Sequence, residues 1–139
     1  MKVFEDCWGR ISAADCDFGG YTIEDSTVKI YVRGGLDVSR DMGHLFCRQG
    51  EHGFVGHCVL AFDGVNFFDL VVNPFEKKDE KVVWADSIAL RYKGQSNEHV
   101  TAFHLAGGLG ELLAYVSISI EAQKFALHVL DENEPALNA

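Results

Sequence analysis

The stretch from Cys58 to Val72, CVLAFDGVNFFDLVV, restricts this chain more than any other. Two apolar runs flank Asp63-Gly64, a dipeptide that tolerates the positive φ angles of a type I′ turn. The pattern predicts a two-residue β-hairpin. In that register Phe62 faces Val65, Leu60 faces Phe67 and Cys58 faces Asp69. Alternation sends Val59, Ala61, Phe68, Leu70 and Val72 to the opposite face, with His57 and Asn66. Both faces are largely apolar, so the hairpin is expected at the centre of a sheet with cover on both sides.

Other segments keep the same period. Val28, Ile30 and Val32 alternate with Lys29, Tyr31 and Arg33 after a Glu24-Asp25-Ser26 turn, as in a half-buried antiparallel strand. Leu112, Ala114, Val116, Ile118 and Ile120 point one way, and Tyr115, Ser117, Ser119 and Glu121 the other. Ala122-Gln123 then turns the chain into Phe125, Leu127 and Val129. Asn73-Pro74 is expected to break the chain before a solvated loop over Glu76–Lys81. The runs 82–92 (with Trp84, Ile88 and Leu90 on one side) and 99–106 supply further strands, as do 2–5 and 8–14. Residues 34–53 read as irregular, with Asp37 or Ser39 placed to cap one short helix over 40–47.

These spacings predict an all-β fold, an antiparallel β-sandwich or partly open barrel of about nine or ten strands. Its second half, 55–131, is expected to be a meander, and at most one short helix is expected. A chain of 139 residues makes one domain, 1–131, with an acidic tail over 132–139 that should fray.

The net charge of −9 argues against nucleic acid and anionic membranes, which need a basic footprint. No apolar run reaches the roughly 20 residues that span a bilayer. Glu5 and Asp6 interrupt any signal-peptide core, so the expected compartment is the cytoplasm. There the four cysteines (Cys7, Cys16, Cys47 and Cys58) are expected to be reduced, with Cys58 a small core residue.

His44, Cys47, His52 and the His57-Cys58 pair are the residue types that hold zinc, but their spacing matches no finger or ribbon. His44, Cys47 and His52 remain the runner-up metal set, and no cofactor is expected. Glu5, Asp6, Asp15, Asp17, Glu24 and Asp25 fall near turns. Gathered at one end, they would form a negative patch that speeds encounter with a basic surface. The same oxygens could bind calcium, but they fit no EF-hand loop. Tyr31, Tyr115 and Trp8 could add an aromatic platform. The partner-binding candidates are Asp15, Asp17, Glu24, Asp25, Tyr31, Arg40, Asp41, His44 and His52.

Residues 59–73, with Phe62-x-Gly64-Val65 and a second apolar run ending at Asn73, resemble a segment of small acidic β-rich immunity proteins of bacterial polymorphic toxin systems. The strands of 99–129 are similar in rhythm, and the resemblance spans about half the chain. It implies a cytosolic antidote that occludes a toxin domain, and it transfers no functional residue by position. The expected function is therefore a non-enzymatic protein-binding domain, an inhibitor or immunity protein that masks a basic partner. The alternative is a small-ligand or metal-binding β-barrel protein using residues 44–58. A third reading is a structural or assembly subunit whose apolar second sheet face is an oligomer interface, for which a homodimer is one form.

Overall fold

The computed structural model describes residues 1–42 and 54–136. Most of them lie in strands, in keeping with the all-β expectation. The strands are β1 (Lys2–Glu5), β2 (Ile11–Ser12), β3 (Cys16–Glu24), β4 (Thr27–Gly34), β5 (Leu36–Val38), β6 (Phe54–Val55), β7 (Cys58–Lys78), β8 (Lys81–Trp84), β9 (Ile88–Lys93), β10 (Thr101–Leu109) and β11 (Leu112–Val129). A 3₁₀ turn covers Trp8–Arg10, where a strand was expected. Residues 40–42 are helical, and the rest of the helix expected over 40–47 lies outside the described residues.

Asp63-Gly64 is not a hairpin turn. β7 is one strand of 21 residues that runs through Asp63-Gly64 and through Asn73-Pro74. β11 likewise runs through Ala122-Gln123. The two lie antiparallel, from Cys58 opposite Val129 to Pro74 opposite Ala114. The pairs expected across a hairpin give way to flanking strands. Phe62 sits between Val28 and Phe125, Leu60 between Ile30 and Leu127, and Cys58 between Val32 and Val129. A two-residue turn can satisfy only one edge of each run, whereas β4 and β11 pair both edges of 58–62.

Gly64 uses its positive φ of 64° inside the strand instead. Two residues later the ladder slips by one, since Glu121 faces Phe67 while Ala122 faces Val65. Asn66 is the extra residue, a β-bulge. Its amide donates to the Asn97 carbonyl at 3.1 Å and to Glu121 Oε1 at 2.9 Å. Its Oδ1 accepts the Asn97 backbone N–H at 2.7 Å and side-chain amide at 2.9 Å. The tight turn with two positive φ angles, 49° and 65°, lies at Asp79-Glu80 between β7 and β8. Pro74 is tolerated because it pairs near the start of β11, where a missing donor falls at the end of the ladder. Its carbonyl accepts the Ala85 N–H at 2.9 Å.

The principal sheet does not follow chain order as a meander would. β7 lies between β4 and β11 along its first half and between β9 and β11 along its second. β10 lies between β11 and β3, and the β10–β3 contact is parallel. That contact requires Gly107, because a Cβ there would stand 1.9 Å from the Cys16 carbonyl oxygen. β2, β5 and β6 form a second sheet, so residues 36–38 are regular rather than irregular.

The core collects the positions that the alternation marks: Val28, Ile30, Val32, Val116, Ile118, Ile120, Phe125, Leu127 and Val129 are all buried. Leu112, expected inward, is 70% exposed. Trp8 closes the core edge-on against Phe103 and Phe125, each centroid at 5.0 Å.

Candidate functional site: an acidic rim and an apolar arm

The first-quarter carboxylates divide between two ends of the molecule. Asp15 and Asp17 stand at the start of β3 and Glu24 and Asp25 at its end, roughly 25 Å away at ~3.3 Å per residue. Asp17 Oδ1 accepts the Gly110 N–H at 2.6 Å and lies 3.6 Å from Arg33 Nε.

Glu24 and Asp25 join a different set. Glu24 pairs with Thr27, Thr27 with Asp63, and Asp63 with Lys124. The Thr27 hydroxyl donates to Asp63 at 2.5 Å. Beyond Lys124 the Asp6 N–H bonds the Phe125 carbonyl, and Glu5 faces Ala126. At about 4.8 Å per strand this row spans roughly 20 Å. Two shallow depressions mark it. One is lined by Thr22, Glu24, Asp25, Thr27 and Lys29, and the other by Glu5, Asp6, Asp63, Lys124, Phe125 and Ala126. Five carboxylates, Glu5, Asp6, Glu24, Asp25 and Asp63, thus share one rim with two cations, Lys29 and Lys124. Asp63 escaped the sequence reading because its neighbours Thr27 and Lys124 are distant in the chain.

The remaining candidates fall elsewhere. Arg40 is exposed. Asp41 is held by the Ser39 hydroxyl and by Arg10 Nη2 at 2.5 Å, which together lower its pKa. Tyr31 is only partly exposed and bonds His57 Nδ1 at 2.9 Å, so it is no free platform. The Glu134 carbonyl can only accept, so the His57 Nε2–H donates to it at 2.9 Å and Nδ1 accepts the Tyr31 hydroxyl. This contact brings part of the expected tail onto the sheet, where the Met1 amine also meets Asp131 at 2.8 Å.

The other prominent surface is apolar. The end of β7, with β8 and β9, forms an arm on which every residue from Lys81 to Arg91 is exposed. Val82, Val83, Trp84, Ile88 and Leu90 lie on it, and Leu112, Leu113 and Tyr115 of β11 are exposed as well. Phe75 and Trp84 meet edge-on at 5.2 Å.

His44, Cys47 and His52 lie outside the described residues. Among the described residues no group of three or more His, Cys, Asp or Glu is placed to hold a metal. Burial, reinforced by Asp15 and Asp17, pushes the Cys16 thiol up to about 12, which keeps it protonated and unreactive. Among the described residues no helix is long and apolar enough to cross a membrane. Comparison of the chain with protein-family models, curated proteins and solved structures returns no match.

Proposed function

We propose that this chain is a non-enzymatic protein-binding domain of the cytoplasm, an acidic inhibitor of the immunity-protein kind that masks a basic partner such as a toxin domain. The observation that carries the reading is the rim: five carboxylates brought from β1, β3, β7 and their turns into one row over paired strands. A row of like charge on a rigid sheet creates a directional field, which raises the association rate with an oppositely charged surface. The circuit of pairings β3–β4–β7–β11–β10–β3, closed only by Gly107 opposite Cys16 and Gly108 opposite Asp17, favours the partly open barrel over the sandwich as the scaffold.

The test is a pull-down with the chain as bait, followed by surface-plasmon kinetics on the basic protein it should retain; retention of no basic protein counts against the reading. Raising salt from about 50 to 500 mM should slow association at least about tenfold. Glu24→Lys with Glu5→Lys should reproduce that loss at low salt, while Asp15→Lys at the far end should not. Association indifferent to salt and to the rim variants overturns the proposal.

A further inference from the structure

An antiparallel ribbon exposed on both faces is marginal in water unless something covers it. Among the described residues β8 and β9 pair only with β7, which leaves the outer edge of β9 open. An open edge bearing exposed apolar side chains is a template for one more strand.

Charge selects the occupant. Residues 76–93 carry Lys77, Lys78, Lys81, Arg91 and Lys93 against Glu76, Asp79, Glu80 and Asp86, five cations to four anions, or +1. The whole chain is at −9, so everything outside the arm is at −10. Two copies repel through the rest of their surface and meet without that repulsion at the arm.

The register of β9 is self-complementary. Ile88, Leu90 and Tyr92 face Val72, Leu70 and Phe68 on β7, so they continue the inner apolar face of that strand. In an antiparallel pair, directly opposed residues share a face. A two-fold axis through Leu90 therefore sets Leu90 against Leu90 of the second copy and Ile88 against Tyr92 in both directions. On the other face Ala89 meets Arg91, so no two cations are directly opposed. We propose that a second copy of this chain pairs antiparallel along β9, joining two principal sheets edge to edge through an Ile88–Leu90–Tyr92 ladder. The ladder adjoins the acidic rim, since the Tyr92 hydroxyl donates to the Asp25 carbonyl at 3.0 Å, and the pairing would present two rims on one assembly.

Sedimentation of the full chain from about 1 to 200 μM tests this, since a micromolar dimer changes state within that range. Wild type should sediment as a dimer at the upper end. Leu90→Lys sets like charges opposite each other on the axis and should weaken dimerisation at least about a hundredfold, with the circular dichroism unchanged. Ile88→Lys, at a position 64% exposed, reads the same effect where Leu90→Lys disturbs folding. Val3→Lys on β1, which packs on the opposite side of β11 from β7, should leave the dimer intact. A monomer across the whole range overturns the proposal and leaves the arm to a different protein. So does a dimer that survives both β9 variants.

Discussion

The two halves of β7 are both rich in apolar residues and end in opposite surroundings. Residues 58–62 are all buried, with β4 on one edge and β11 on the other. Residues 76–78 are exposed, and the β8 strand that pairs with them is exposed on both faces. Hydrophobicity alone does not separate Leu60 from Val83 or Phe62 from Trp84. The number of strands and layers that reach each half does. Gly64 and the Asn66 bulge sit between the two, where the inward-facing set moves from 58, 60 and 62 to 65 and 68.

Phe62→Ala should show the largest effect in this contrast. Phe62 is fully buried and touches Trp8, Phe103 and Phe125 edge-on or tilted, so its truncation should cost about 3–5 kcal/mol in urea unfolding. Asn66→Ala should come next, at about 1–3 kcal/mol, because it orphans the Asn97 groups that the side chain satisfies. A neutral result would mean that the bulge is not what joins the halves. Gly64→Ala forces φ 64° on an L-residue and brings a Cβ to 2.9 Å from the Gln123 Cβ, for a loss of about 1–2 kcal/mol.

On the arm the effects should shrink or reverse. Glu80→Gly relieves a positive φ in the Asp79-Glu80 turn and should stabilise by about 0.5–1 kcal/mol. Trp84→Ala should change the stability of the dilute protein by no more than about 0.5 kcal/mol. A loss as large as that of Phe62→Ala would erase the distinction between the halves.

A pH series probes the covered half from its outer face. His128 faces Val59 on β7, and burial, with Lys29 second, lowers its pKa. The unfolded chain then binds the proton more readily than the folded one. Stability should therefore fall as pH drops through the ordinary histidine range near 6.5. His128→Gln should flatten that part of the curve.

Much of the fold was legible because it is local. Val28, Ile30 and Val32 are buried as their alternation implies, and Asp25-Ser26 turns β3 into β4 as their residue types suggest. The reading failed where a local signal met a distant partner. Asp63-Gly64 has the composition of a turn, but β4 pairs up to Asp63 and β11 pairs on both sides of Gly64, and neither strand is adjacent to it in sequence. Asp79-Glu80 makes the turn without the favoured glycine because β8 follows at once to pair with Lys78. The candidate site was half legible for the same reason. Glu24 and Asp25 advertise themselves as charged turn residues, whereas Asp63 joins the rim only once three strands have come together.

The pairing of β1 with the last residues of β11 carries a kinetic consequence. Lys2 lies opposite Val129, so β1 is separated in sequence from its partner by every strand from β2 to β10. Contacts this remote in sequence slow folding, since the long loop must close before any of them is formed. The docking of β1 is therefore expected to come late in folding, and until then the edge of β11 over 126–129 stays open to other strands.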